Sequence, residues 1–189
     1  MKKNSMIKKD ILKAVIFMLI ALISVPTLAQ DKIKWMSFEE AIERSHKKTK
    51  HIFIDVYTDW CGWCKRMDAT TFTDPVIVDL MNKHFYAVKL DAERKDTVYF
   101  QDNAFVNTNP AGRRSSHQLA QALLKGKMSY PSFVFLNSKA EWLTVVNGYV
   151  KPPDLEKVLT YFGENIYESK TWEQFTATFV SNIPSDKAE

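Results

Sequence analysis

The sequence predicts an α/β fold in which helices flank a central mixed β-sheet. Two apolar, β-branched runs, at residues 52–57 and 85–90, are typical of buried strands, and each follows a predicted helix. A third run, Phe133–Leu136, is joined by a short turn to a fourth, Trp142–Val146, which predicts an antiparallel hairpin. Strands that alternate with helices and end in a hairpin indicate a mixed sheet, and the length suits one domain.

Most of the helices have recognisable start signals. Ser37, with Glu40 three positions later, forms a capping box, and the helix is expected to end near the basic residues 46–48. Asp74 followed by Pro75 is typical of an N-cap and first helical position. Similar signals predict three later helices: one capped by Ser115 or Ser116 and ending at Gly126, one beginning at Pro152 and Pro153, and one from Trp172 to Val180 capped by Thr171.

Residues 92–114 interrupt this alternation. They are polar, contain Asn109-Pro110 and Gly112, and offer few apolar side chains for a core. We expect an extended surface excursion with at most a turn of helix.

The N-terminal residues predict an export signal. Lysines precede an apolar run at residues 14–25, and small residues end at Ala29, which is typical of a signal peptide cleaved after that alanine. The run is shorter than the ~20 residues that span a bilayer, so a retained membrane anchor is the alternative. Residues 30–189 are then the mature domain, and the expected location is periplasmic or secreted.

The charge of the chain belongs mostly to that predicted signal. Residues 1–29 carry five lysines and one aspartate, a net charge of +4, which is also the formal charge of the whole chain. The remainder is therefore close to neutral and lacks the concentrated positive field that nucleic-acid binding requires.

Cys61 and Cys64 are the two cysteines of the chain, and they open a predicted helix directly after the first buried strand. The free N–H groups of a helix start stabilise a thiolate on the first sulfur, which favours a redox-active dithiol. A structural disulfide is one alternative, but so short a loop gives little stabilisation. Half a zinc site is another, but the four histidines are scattered without metal-ligand spacing. We therefore expect neither a metal nor another cofactor.

Three nearby residues suit such chemistry. Asp55 lies within an apolar strand, where burial would raise its pKa and fit it to accept a proton from Cys64; an exposed strand end is the alternative. Trp60 is either a flat platform beside the first cysteine or a core aromatic. Trp63, between the sulfurs, is expected to be exposed and to grip partner proteins.

The segment Asp55-Val56-Tyr57-Thr58-Asp59-Trp60-Cys61-Gly62-Trp63-Cys64-Lys65 resembles the thioredoxin active-site signature, with tryptophan in place of the usual proline between the cysteines. The order of strands and helices over residues 35–165 also resembles the thioredoxin fold. With its export signal and long excursion, the chain is most similar to secreted thioredoxin-like proteins related to the C-terminal domain of the transmembrane thiol:disulfide interchange reductase. The resemblance implies a thioredoxin fold with an insertion before the cis-proline strand.

The resemblance also implies roles for individual residues. Cys61 is expected to be the exposed nucleophile, Cys64 the resolving thiol, and Asp55 the buried carboxylate behind it with Lys89 as cationic neighbour. Pro131 is expected to be the cis-proline that faces the disulfide, leaving the preceding backbone free to pair with an extended substrate. The residues expected to contact substrate are Trp60, Gly62, Trp63 and Tyr130.

These observations lead to one principal hypothesis and two alternatives. The principal one is an exported, monomeric thiol:disulfide oxidoreductase that reduces protein disulfides and is recharged by a membrane electron-donor thiol reductase. The first alternative is a redox-sensitive or metal-responsive protein-binding module. The second is a thiol carrier in cytochrome or copper-site assembly.

Overall fold

A computed structural model of the chain describes residues 31–184, so the predicted signal peptide at residues 1–29 lies outside the described part. The strands are β1 (Trp35–Met36), β2 (His51–Tyr57), β3 (Phe85–Asp91), β4 (Val98–Phe100), β5 (Asn103–Phe105), β6 (Ser132–Leu136) and β7 (Trp142–Asn147). The α-helices are α1 (Phe38–Lys47), α2 (Gly62–Ala69), α3 (Pro75–His84), α4 (Gln118–Leu123), α5 (Pro152–Gly163) and α6 (Trp172–Thr176). Among these elements, no helix has the length and apolar character needed to cross a bilayer.

The main sheet has the strand order β1-β3-β2-β6-β7. Its strands β1, β3 and β2 are parallel, whereas β6 is antiparallel to β2 and β7 is antiparallel to β6. The predicted mixed sheet and C-terminal hairpin are therefore confirmed. The sequence pattern missed β1, which is only two residues long and exists because Trp35 and Met36 pair with Ala87 and Val88 of β3.

Alternate side chains of β2 contribute to two hydrophobic cores, one on each face of the sheet. Ile52, Ile54 and Val56 belong to one core, which α1 and α4 cover. Phe53 belongs to the second core, which α2, α3 and α5 cover. Because successive side chains of a strand point to opposite faces, Asp55 lies on the same face as Phe53. The carboxyl of Asp55 is therefore on the face that carries α2, the helix of the two cysteines.

The predicted starts of the first and third helices are confirmed. Ser37 Oγ accepts a hydrogen bond from the Glu40 N–H at 3.1 Å, at the start of α1. The Asp74 carboxylate accepts from the Val76 N–H at 2.9 Å, with Pro75 in the first turn of α3.

The predicted serine cap of α4 is wrong, because the cap is His117. Its Nδ1 accepts a hydrogen bond from the Leu119 N–H at 3.1 Å, and its Nε2 lies 2.9 Å from the Asp96 carbonyl oxygen. Ser115 instead donates to Asn107, and Ser116 contacts Gln121. The buried imidazole thus joins α4 to the preceding polar segment, a long-range contact that local sequence signals do not show.

Residues 92–114, which we call the insertion, contain the β4–β5 hairpin and no helix. The hairpin is anchored more firmly than the polar composition suggests. Val98 is buried in the first core, and the Phe100 ring meets the Phe38 ring edge-on at a centroid distance of 5.1 Å. Two well-placed apolar side chains are sufficient to fix this segment against α1.

The C-terminal segment returns to α5. Thr171 caps α6 with a complete capping box, as predicted, but the helix ends at Thr176 rather than Val180. The chain then reaches Glu156, a fully buried carboxylate on α5. Glu156 accepts hydrogen bonds from the Asn182 N–H and side-chain amide at 2.9 and 2.8 Å, and from the Ser181 hydroxyl. This carboxylate therefore holds the last described residues on the domain.

We predict that Glu156→Ala lowers the free energy of unfolding by about 2–4 kcal/mol, because several hydrogen bonds to a buried charge are lost together. Glu156→Gln retains the shape and one acceptor oxygen and should lose less. Urea denaturation of the purified protein measures both. Glu168→Ala, on an exposed glutamate, is the control; if it shifts the midpoint as much as Glu156→Ala, the anchoring role is refuted.

Candidate active site

Cys61 and Cys64 form a disulfide at the start of α2. Cys61 is the N-cap residue: its Sγ accepts a hydrogen bond from the Cys64 N–H at 3.0 Å, and its own N–H donates to the Thr58 carbonyl at 3.1 Å. The first sulfur therefore occupies the positive end of the helix, where a thiolate is stabilised after reduction. This arrangement confirms that the cysteine pair opens a helix directly after β2.

The exposure expected for Cys61 is wrong for this oxidised state. Cys61 is only 5% exposed and Cys64 only 3%. The physical reason is that the first sulfur turns back over the initial helical turn, where it is bonded both to the second sulfur and to the Cys64 N–H. The sulfurs can therefore be reached only past the side chains that surround the pair.

Asp55 is buried, at 1% exposure, and forms an ion pair with Lys89. The two residues are directly opposite each other in the parallel register of β2 and β3, and the Lys89 Nζ lies 2.6 Å from Asp55 Oδ2. Lys89 also contacts Asp68 on α2. Three aromatic rings surround its ammonium group at centroid distances of 4.8–5.4 Å: Trp35, Tyr57 and Phe72.

Burial raises the pKa of Asp55 to about 6, while attraction and a hydrogen bond from Lys89 oppose that rise. For Lys89, burial lowers the pKa, but the interactions with Asp55 and Asp68 outweigh it and the net direction is upward. The second Asp55 oxygen, Oδ1, is buried and has no hydrogen-bond partner in the described part of the chain. The site therefore contains a carboxylate with one unsatisfied oxygen and a pKa near neutrality, as the sequence predicts for a proton acceptor.

The peptide bond between Tyr130 and Pro131 is cis, as predicted. Within residues 31–184, the Tyr130 backbone N–H and carbonyl make no hydrogen bond, whereas the Pro131 carbonyl accepts from the Gly148 N–H at 2.8 Å. The Tyr130 ring meets the Trp60 ring edge-on at 5.8 Å, so the cis-proline loop lies beside the residue that precedes Cys61. Burial, with repulsion from nearby carboxylates, raises the pKa of Tyr130 to about 12, and its phenol stays neutral.

Trp60 is 48% exposed, which excludes the core alternative. Its indole Nε1 donates a hydrogen bond to Glu93 Oε1 at 3.0 Å, and the Arg114 guanidinium lies 4.6 Å from a ring centroid. Both partners belong to the insertion. The sequence analysis missed Glu93 and Arg114, since a polar segment of unknown path gives no signal of what it contacts.

Trp63, which lies between the two cysteines, is 55% exposed, as expected. It belongs to a second aromatic cluster. Its ring lies 5.4 Å from the Tyr149 ring, and the Arg66 guanidinium is 5.5 Å from both ring centroids. A Cβ added to Gly62 would meet no atom within 4 Å, so this position faces open space. The disulfide is therefore bordered by Trp60, Gly62 and Trp63, all of them accessible to a partner.

No group of three metal-binding side chains occurs among residues 31–184. The absence of a metal and of any other cofactor stays a prediction for the chain as a whole.

Comparison with known proteins places this chain in a family. The Thioredox_DsbH family model, described as a protein of unknown function, DUF255, matches residues 25–162. Disulfide bond reductase DsbH of Chlamydia pneumoniae is 25% identical over 117 residues, covering 61% of this chain and 63% of that protein. Spermatogenesis-associated protein 20 of Rattus norvegicus is 29% identical over 85 residues, and the chain spans only 11% of its length.

A solved structure agrees with this assignment. The solution structure of a Bacteroides thetaiotaomicron protein proposed to be a disulphide-isomerase has 28% identity and a TM-score of 0.51, covering 75% of this chain and 98% of that one. The predicted thioredoxin fold is therefore confirmed, and the paired cysteines are those of a thiol:disulfide oxidoreductase-like protein. The chain belongs to the Thioredox_DsbH family, a thioredoxin-like family of DsbH/DsbD type.

Proposed function

We propose that this protein is an exported thiol:disulfide oxidoreductase that reduces protein disulfides through Cys61 and Cys64. The observation that carries the proposal is the position of Cys61 Sγ at the start of α2, where it accepts the Cys64 N–H. A structural disulfide does not require a helix N-terminus or a half-satisfied carboxylate on the adjacent face of the sheet. A nucleophilic thiolate benefits from both.

The reaction consists of two exchanges. In the reduced protein, the Cys61 thiolate attacks one sulfur of a client disulfide, forming a mixed disulfide and releasing the other client sulfur as a thiolate. The Cys64 thiolate then attacks the Cys61 sulfur, forming the Cys61–Cys64 disulfide and releasing the second client thiolate. Two electrons pass from the protein dithiol to the client, and the released thiolates take protons from water.

Asp55 is the proton acceptor for the second exchange in this proposal. Cys64 must lose its proton before it attacks, and a buried carboxylate with a pKa of about 6 is ionised at neutral pH while still basic enough to take that proton. Its unsatisfied Oδ1 provides the acceptor atom, directly or through a water molecule. Lys89 is a positioning residue that holds the other oxygen and opposes the rise that burial causes in the pKa of the carboxyl.

Client binding is assigned to the surface around the disulfide. The free N–H and carbonyl of Tyr130 suit an extended client segment that pairs with them as an added strand, beside Pro131. Trp60 and Trp63 offer exposed aromatic faces on either side, and Gly62 leaves room between them.

We also propose that the protein is exported to the periplasm or the exterior and acts there as a monomer. Export is supported by the signal-like residues 1–29. Outside the cytoplasm no glutathione pool keeps a dithiol reduced, so a membrane electron-donor thiol reductase is the partner that must recharge the protein.

We expect the purified protein to catalyse the reduction of insulin by dithiothreitol, and Cys61→Ser to lower the rate to background because the attacking sulfur is removed. Cys64→Ser is the matched variant: it keeps the attacking thiol and should accumulate a mixed disulfide visible on a non-reducing gel. If the wild-type rate does not exceed background, the redox-sensitive binding module is favoured instead.

We predict that, with Cys64 present, its resolution of the Cys61–client mixed disulfide accelerates as pH rises through about 6, as the Asp55 carboxyl ionises, and that Asp55→Asn slows this step about 10- to 100-fold at pH 7.5. Stopped-flow tryptophan fluorescence between pH 5 and 8 measures the rate. Asp79→Asn removes an exposed carboxylate of α3 that is not among the groups shifting the pKa of Asp55, and it should keep the wild-type pH profile. Identical profiles for wild type and Asp55→Asn would remove Asp55 from the mechanism.

The same carboxyl provides a second readout in the stability of the oxidised protein. Its folded pKa, about 6, lies above its ordinary value of 3.8, so the native state binds the proton more tightly and its stability falls as pH rises from about 4 to 6. The Asp55→Asn variant has no carboxyl at this position, so its stability lacks this pH-dependent decrease. The stability of the variant relative to wild type should therefore increase across that interval, and a flat difference would contradict the assigned pKa.

The direction of exchange is tested by a redox titration of Cys61 and Cys64 against glutathione. We expect a potential near about −270 mV, typical of a reductase, whereas a value near about −120 mV would indicate an oxidase. A client preference restricted to Cys-x-x-Cys or copper proteins would instead favour the thiol-carrier alternative.

A further inference from the structure

A cavity of about 350 Å³ lies against Trp60, the residue that precedes Cys61. Its remaining walls come from the insertion and the residue that follows it: Glu93, Lys95, Asn107 and residues 110–115. This volume is at the lower end of ligand pockets and suits one or two amino-acid side chains. We call it the Trp60 cavity.

The Trp60 cavity has an excess of positive charge. Its lining contains three cations, Lys95, Arg113 and Arg114, and one carboxylate, Glu93, a net charge of +2. Glu93 already accepts the hydrogen bond from the Trp60 indole. In the part of the chain that the structure describes, no carboxylate lies within ion-pair distance of any of the three cations. The cations are therefore available to an anionic group that enters from outside.

The chain segment that lines the Trp60 cavity is anchored near both of its ends. The buried Asn107 amide donates to the Ser115 carbonyl at 2.7 Å, and its oxygen accepts from the Ser115 hydroxyl at 2.7 Å and the Asn109 N–H at 3.1 Å. At the other end, Arg94 is paired with Glu39 of α1. Both ends of the segment are thus tied down, which lowers the entropic cost of binding.

We propose that the Trp60 cavity binds an acidic side chain of the client, close to one of the cysteines of its disulfide. This inference rests on the proposed reductase function and names its substrate class: protein disulfides flanked by aspartate or glutamate. A client strand paired with the Tyr130 backbone passes beside Trp60, because the Tyr130 and Trp60 rings are in contact. Alternate side chains of a strand lie on one face about 6.6 Å apart, and in this proposal the client side chain two positions from the cysteine is the one that enters the cavity.

The test uses three peptides that differ in a single residue two positions from a disulfide cysteine: glutamate, glutamine or lysine. Each is reduced in a single turnover by the pre-reduced protein at low ionic strength. We expect the glutamate peptide to react about fivefold faster than the glutamine peptide, the effect of one or two partly exposed ion pairs, and the lysine peptide to react slowest. Raising the salt concentration should reduce the difference.

Lys95→Gln/Arg113→Gln should bring the glutamate-to-glutamine rate ratio close to one, while Arg114 is kept so that Trp60 retains its partner. Lys139→Gln/Lys170→Gln removes the same charge from exposed residues that do not line the cavity, and it should keep the wild-type ratio. Equal rates for glutamate and glutamine peptides in the wild type, or an unchanged ratio in Lys95→Gln/Arg113→Gln, would overturn the inference.

Failure of the proposed function is distinguishable from failure of this inference. If no peptide is reduced, the reductase assignment fails. Titration calorimetry of the same peptides then tests separately whether the cavity binds an acidic side chain. Tighter binding of the glutamate peptide that is lost in Lys95→Gln/Arg113→Gln supports the acidic subsite, and equal binding of all three peptides refutes it.

Discussion

The active site depends on how the free N–H groups at the start of α2 are satisfied. One of them, the Cys64 N–H, is bound by the Cys61 sulfur, which fixes that sulfur at the positive end of the helix. Met67, one turn further along, is buried in the second core and anchors the helix to the sheet. The contact that favours a thiolate also keeps the sulfur below the surface. The disulfide bond and this hydrogen bond together hold the Cys61 sulfur in its buried position.

A second constraint is the charge balance beneath the disulfide. Burial alone would raise the pKa of Asp55 further, and Lys89 limits that rise through a direct ion pair. The ammonium group is in turn stabilised by Asp68 and by the faces of three aromatic rings. A carboxylate with one unsatisfied oxygen is costly inside a protein, and such costs are typical of catalytic groups.

Local signals were sufficient for most of the fold and for the central residues of the site. The capping residues Ser37 and Asp74 and the cysteine pair lie where local signals predict them, and the cis bond at Pro131 lies where the resemblance to the thioredoxin family predicts it. Most of the failures share one cause, which is contact between residues distant in sequence. The His117 cap, strand β1, the β4–β5 hairpin and the Glu93 and Arg114 contacts to Trp60 each depend on a partner that no local pattern identifies.

The cysteine content has a further consequence for how the chain matures. Its 189 residues contain two cysteines, and both are used in the disulfide at the start of α2. An oxidising compartment can therefore impose only one intramolecular connectivity on the chain, and scrambled isomers of the monomer do not exist. Any incorrect bridge must join two molecules, so the fraction of incorrectly bridged protein is expected to rise with protein concentration during oxidation.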